Sequence, residues 1–197
     1  GSDLYAGGSF TRAGDIAANY IAKWDGSQWS QLSGGASGDV YAVMAVGNDL
    51  YIAGSFTLVG QYPNQVEAHS VAKWNGSQWI SLSPYPNFWT MLSLTSHGSD
   101  IYAGGNVGYL DKWDGTQWTS VGGGTDGYEG VKAMTFIGND LFAGGDFTKA
   151  GGVDASRIAK WDGTQWSPLG SGVNGQVRAL LAYGTDLIVG GDFTTAG

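Results

Sequence analysis

Asp3-Leu4-Tyr5-Ala6-Gly7-Gly8-Ser9-Phe10 decides the fold, because the chain repeats it. It returns as Asp49-Leu50-Tyr51-Ile52-Ala53-Gly54-Ser55-Phe56, as Asp100-Ile101-Tyr102-Ala103-Gly104-Gly105, as Asp140-Leu141-Phe142-Ala143-Gly144-Gly145-Asp146-Phe147, and as Asp186-Leu187-Ile188-Val189-Gly190-Gly191-Asp192-Phe193. The copies begin at 3, 49, 100, 140 and 186, in steps of 46, 51, 40 and 46 residues. A second element follows each of the first four copies. It reads Lys23-Trp24-Asp25-Gly26-Ser27-Gln28-Trp29, then Lys73-Trp74-Asn75-Gly76-Ser77-Gln78-Trp79, and later Lys112-Trp113-Asp114-Gly115-Thr116-Gln117-Trp118 and Lys160-Trp161-Asp162-Gly163-Thr164-Gln165-Trp166. A third, apolar element precedes each later copy, at residues 40–46, 89–95, 131–137 and 177–183.

Each unit thus holds four short strands, A to D: a Val-Tyr-Ala-Val-Met-Ala-Val type, the Asp-Leu-Tyr-Ala-Gly-Gly type, an Ile-Ala-Lys-Trp type and a Gln-Trp-Ser-Gln-Leu type. Asp-Gly or Asn-Gly between C and D is a strong hairpin signal, because those residues tolerate the positive φ of a tight turn. The apolar runs are too short, and too rich in β-branched and aromatic residues, for helices. Four strands every 40 to 50 residues is the period of a propeller blade. The expected fold is all-β: a β-propeller of four-stranded antiparallel blades, about four per chain, with residues 1–197 as one repeat array. A β-sandwich would leave so regular a repeat without a reason.

Composition agrees with short strands and tight turns. Gly accounts for 35 of 197 residues, and it recurs beside Trp, Tyr and Phe rather than in linker-like tracts. The net charge of −8, with only nine Lys and Arg, supplies no basic face for phosphates and so excludes a nucleic-acid partner. No apolar run approaches a membrane span, so membrane insertion is not expected. With no Cys, there is neither a disulfide framework nor a thiolate metal site. The Gly/Ser/Thr/Asn/Trp-rich, Lys-poor composition leans towards an extracellular or cell-surface protein.

The order of strand A, Leu-Tyr-x-Gly-Gly, loop, strand C, turn, Trp resembles the kelch repeat, of the kind found in the galactose oxidase central domain. The matching glycine pairs are Gly7-Gly8, Gly104-Gly105, Gly144-Gly145 and Gly190-Gly191, and the fourth-strand tryptophans are Trp29, Trp79, Trp118 and Trp166. The second copy departs, with Ala53-Gly54, and the third lacks the Phe-Thr segment. The resemblance implies that a terminal strand completes the first blade. Counting the strands gives 17, one more than four blades need, so a ring closed within one chain and a homodimer sharing blades both fit. The copper-site residues of galactose oxidase have no counterpart set here, so its activity is not carried over. Similar repeats are common in large secreted bacterial proteins and fungal surface proteins.

Chemistry-bearing motifs are sparse. The two histidines, His69 and His97, form no metal-binding pair, and no nucleophile elbow or calcium loop occurs. No catalytic residue, metal or cofactor is assigned. Antiparallel order puts the near-identical A–B and C–D turns on one face, and the divergent B–C and D–A loops on the other, where recognition residues tend to sit. Tyr62, His69, Tyr85, Phe88, Trp89, Tyr128 and Glu129 are the candidate ligand-binding residues on that face. They suit a protein or a glycan partner. The eight hairpin tryptophans are expected to pack between blades more than to serve as sugar platforms. The repeated Asp is expected to cap a turn, and the repeated Lys to lie over a Trp face or in solvent. The expected role is a non-enzymatic structural or protein-binding module, with a carbohydrate-binding propeller as the alternative.

Overall fold

The computed structural model describes residues 3–82 and 90–197. The chain folds into two compact units, Gly1–Met91 and Leu92–Gly197. Among the described residues the regular structure is strand, apart from one 3-10 turn at Asn106–Gly108. None of them forms a helix long and apolar enough to cross a membrane.

Unit 1 holds two antiparallel sheets. The first has strands B (Leu4–Gly7), C (Ile21–Trp24) and D (Trp29–Gln31), with B at its edge. The second is complete: A (Val40–Val46), B (Asp49–Gly54), C (Val71–Trp74) and D (Trp79–Ser81). In unit 2 the third sheet runs Met91–His97, Asp100–Gly105, Leu110–Trp113 and Trp118–Ser120. The fourth runs Val131–Ile137, Asp140–Gly145, Ile158–Trp161 and Trp166–Pro168. A final hairpin pairs Val177–Tyr183 with Asp186–Gly191. Strand A of the third sheet therefore starts two residues later than the apolar pattern at 89–95 suggests. In every copy the two-residue A–B turn ends strand A three positions before the Asp of B, and this turn sets the register.

Within each unit, strand B of one sheet lies under strand A of the next. The first glycine of the Gly-Gly pair makes this possible. A Cβ on Gly7 would sit 2.6 Å from side-chain atoms of Val40 and Val43. On Gly104 it would be 2.7 Å from Val131, and on Gly144 2.4 Å from Val177. Such distances leave no room for even a methyl group. Ile21, Val40, Ile52, Phe56 and Val59 fill the core of unit 1, and Leu110, Val131, Leu141 and Phe147 that of unit 2.

The hairpin tryptophans pair with each other across the C–D turn. Ring centroids are 5.4 Å apart in Trp24–Trp29, Trp74–Trp79 and Trp161–Trp166, and 5.7 Å in Trp113–Trp118. Trp79 and Trp166 are buried. Trp166 also reaches the preceding sheet, its indole N–H donating to the Val121 carbonyl at 3.4 Å.

The turn between the paired tryptophans is built the same way each time. One Oδ1 of Asp25 accepts the backbone N–H groups of Ser27 (2.8 Å) and Gln28 (2.9 Å) and the Ser27 hydroxyl (2.7 Å). Asn75, Asp114 and Asp162 repeat the pattern. Gly26 follows at φ 102°, a conformation closed to most side chains.

Among the described residues, the Asp at the head of strand B caps no turn. It pairs with the Lys of strand C instead: Asp3 with Lys23 at 2.7 Å, Asp49 with Lys73 at 3.0 Å, Asp100 with Lys112 at 3.3 Å, and Asp140 with Lys160 at 3.1 Å. The B–C register puts the residue after the Asp opposite the Trp after the Lys, as in Leu50 opposite Trp74. The two side chains then converge across the strand ends.

Candidate functional site

The described B–C and D–A loops are more ordered than their divergent sequences suggest. Two-residue ribbons lie inside three B–C loops: Arg12–Ala13 with Ile16–Ala17, Leu58–Val59 with Val66–Glu67, and Lys149–Ala150 with Val153–Asp154. Among the described residues, three D–A loops are then stapled to the segment that follows the next strand B. The Ser37 hydroxyl accepts the backbone N–H groups of Thr57 and Leu58, both at 3.0 Å. The Asp126 carboxylate accepts those of Thr148 (2.6 Å) and Lys149 (2.7 Å), with the Thr148 hydroxyl at 2.7 Å. The Asn174 side-chain oxygen accepts those of Thr194 (2.8 Å) and Thr195 (3.0 Å). Burial pushes the Asp126 carboxyl up, but its bonds from Thr148 and Lys149 outweigh this and hold it below the usual value. A backbone bridge accompanies each staple: Ala36 with Val59, Thr125 with Ala150, and Val173 with Ala196. Sequence reasoning missed these staples. Their only signal is a Gly after the Ser, Asp or Asn (Gly38, Gly127, Gly175) and a Phe-Thr pair in the partner loop.

The candidate residues fall in both units. In unit 1, the Tyr62 ring is 84% exposed, on the loop that closes the Leu58–Val59 ribbon. His69 is largely covered, and its Nε2 lies 2.8 Å from Glu67 Oε1. Tyr85, Phe88 and Trp89 lie outside the described residues. In unit 2, Tyr128 and Glu129 are neighbours with different roles. The Tyr128 ring is 80% exposed, while its carbonyl accepts the backbone N–H of Val107 at 2.8 Å, so its loop is tied to the 3-10 turn. Val107, at φ 55°, is itself exposed. Glu129 accepts from Lys132 Nζ at 2.6 Å and from Gln176 Nε2 at 2.7 Å. These two bonds, Lys132 first, hold its carboxyl below the usual range. Beside it, Arg178 forks onto Asp192, with Nε 2.8 and 2.9 Å from the two oxygens and Nη2 2.6 Å from Oδ2.

Unit 2 thus presents an exposed aromatic ring beside a pre-ordered row of charge and amide, Lys132, Glu129, Gln176, Arg178 and Asp192. A rigid ring with a hydrogen-bonding rim can stack on a flat apolar surface and fix its orientation. Among the described residues, no group of three or more His, Asp or Glu is placed to hold a metal ion.

No curated protein matches this chain in sequence. Among solved structures, the extracellular domain of BT4673 from B. thetaiotaomicron aligns over 98% of this chain and 25% of its own, at a TM-score of 0.68 and 14% identity. The computationally designed Ika4 protein aligns over 83% of this chain and 94% of its own (TM-score 0.57, 17% identity). The designed Ika8 protein aligns over 96% and 69% (TM-score 0.52, 16% identity). At these identities the likeness is one of fold. The model of the Rax2 C-terminal β-propeller domain matches residues 1–139, so the chain belongs to that propeller family, which is not the kelch family its motif order resembles.

Proposed function

We propose that this chain is a non-enzymatic binding module of about four blades, from a secreted or surface protein, which takes a protein partner at the loop edge around Tyr128. One observation carries the reading: an almost fully exposed tyrosine ring sits next to the hydrogen-bonded Glu129–Lys132–Gln176 set. Interface hot spots pair a rigid aromatic anchor with a polar rim, and pre-ordering lowers the entropy cost of binding. The extracellular neighbour among solved structures supports a surface location. The divergent B–C and D–A loop sequences support recognition through those loops.

A glycan is the second reading, favoured by the two exposed rings Tyr62 and Tyr128. The hairpin tryptophans support it less, since each is partly covered by its pair. The test presents the labelled chain to an array of extracellular protein domains and to a glycan array, alongside Tyr128→Ala and Tyr62→Ala. The protein reading expects a hit on the domain array that Tyr128→Ala weakens at least tenfold. Hits confined to glycans, or a Tyr128→Ala variant that binds as wild type, would overturn it.

A further inference from the structure

Asn75 stands where the other three C–D turns have Asp25, Asp114 and Asp162. The turn itself does not require the change. Its bonds run to one side-chain oxygen, Asn75 Oδ1, which accepts the Ser77 N–H at 3.0 Å, the Gln78 N–H at 2.9 Å and the Ser77 hydroxyl at 2.9 Å. The three aspartates accept the equivalent set. What Asn adds is an amide nitrogen. Among the described residues Asn75 Nδ2 donates no hydrogen bond, and with Oδ1 facing the turn's donors it points away from them. Gly76, Ser77 and Gln78 around it are exposed, and a Cβ on Gly76 would meet nothing within 4 Å. Asn75-Gly76-Ser77 is also the one Asn-x-Ser/Thr triplet in the chain.

We propose that Asn75 is an N-glycosylation site, the acceptor of an oligosaccharide carried on a lipid pyrophosphate. An Asn-x-Ser/Thr triplet without Pro, on an exposed turn, is the form in which a secreted chain offers this acceptor. In the transfer, Nδ2 bonds to C1 of the first sugar. The bond from C1 to the pyrophosphate oxygen breaks, its electron pair leaves with the lipid pyrophosphate, and Nδ2 gives one of its two protons to a base of the transferase. Oδ1 is untouched, so the turn keeps its three bonds with the sugar attached. The other three turns offer a carboxylate, which has no such nitrogen, so one sheet alone is marked. The sugar grows from the turn end of strand Val71–Trp74, whereas the loop that carries Tyr62 enters that strand at its other end. It therefore leaves that loop open to a partner. The proposal rests on the surface reading above, since only a chain that enters the secretory route meets the lipid-linked donor.

The test secretes the full chain from a eukaryotic host behind a cleavable leader and reads intact and peptide masses before and after peptide N-glycosidase, which releases the sugar and leaves Asp at its site. The expected result is a chain heavier than its 20.5 kDa by one glycan, whose release converts Asn75 to Asp. Asn75→Asp gives the turn of the other three copies, so it folds, and it should lose the sugar entirely. Ser77→Ala keeps the amide and removes the hydroxyl of the triplet, and should lose it too. Ser77→Thr, the residue of the third and fourth turns, should retain it. An unmodified Asn75 in the secreted wild-type chain, or sugar that persists in Asn75→Asp or Ser77→Ala, overturns the assignment. Sugar on the secreted chain but none on the protein from its natural source overturns the surface reading instead.

Discussion

Lys73 Nζ lies 3.0 Å from Asp49 Oδ2, and this cross-strand pair, repeated in each sheet that holds strands B and C, replaces the turn cap and the cation over an indole that the sequence suggests. Both side chains keep a quarter to a third of their surface in solvent. A pair so placed contributes on the order of 0.2–1 kcal/mol. A double-mutant cycle with Asp49→Ala and Lys73→Ala, read by denaturant unfolding, should give a coupling energy in that range that shrinks in 0.5 M salt. A coupling above about 2 kcal/mol would mean that the pair is a buried anchor and not a surface register mark.

The C–D turns predict an acid response. Backbone and hydroxyl donors hold Asp25, Asp114 and Asp162 at about 2, led by the Gln28 N–H at Asp25 and by the Thr116 and Thr164 hydroxyls at the other two. The unfolded value is 3.8, so the folded pKa is depressed. The stabilisation is therefore complete above about pH 4 and is lost as pH falls towards 2. Asn75 makes the same bonds without a titrating proton. Replacing all three aspartates by Asn should leave stability near pH 7 close to wild type and flatten its fall between pH 4 and pH 2. Melting curves across that interval check it, and an unchanged slope would remove these turns as its source.

The strand plan was legible because it rests on local signals: short apolar runs recur in every copy, and an Asp-Gly or Asn-Gly turn follows each of the first four. Residues 89–95 were misplaced because Trp89 extends the apolar run, whereas the Gly98-Ser99 turn before Asp100 sets where the strand ends. The Asp–Lys pairs were hidden by separation in sequence, 20 residues for Asp140 and Lys160, and they emerge only once B and C are in register. The loop staples were hidden by chemistry, since Ser37, Asp126 and Asn174 share one task with three side chains. Exposed Tyr62 and Tyr128 were readable as loop aromatics. The Lys132, Gln176 and Arg178 surroundings of Glu129 were not, because Gln176 lies 47 residues away.

The staple at Asp126 should behave as a cap. Asp126→Ala leaves the Thr148 and Lys149 N–H groups without their acceptor, at a cost of about 1 kcal/mol, or roughly 2–4 °C in melting temperature. Asp126→Asn retains an acceptor oxygen and should cost less than half of that. Hydrogen exchange at Thr148 and Lys149 should accelerate in the Ala variant and not in the Asn one. Equal exchange in both would show that the backbone bridge of Thr125 with Ala150 holds the loops alone.

Gly144 sets how closely two sheets of unit 2 approach, and this gives a compensation test. An added Cβ would lie 2.4 Å from Val177 Cγ1, and Val177 is fully buried, so Gly144→Ala forces the strands apart. Overpacking of this kind costs about 1–3 kcal/mol. Val177→Ala alone removes two buried methyl groups and should cost a similar amount through the cavity it leaves. Together the two changes put one methyl into the space that the two Val177 methyls vacate, so the double variant should be more stable than the sum of the singles by at least about 1 kcal/mol. Gly190→Ala, with open space at the same position of the last hairpin, serves as the control and should be close to neutral. Strict additivity of Gly144→Ala and Val177→Ala in urea unfolding would show that the valine does not set the sheet spacing.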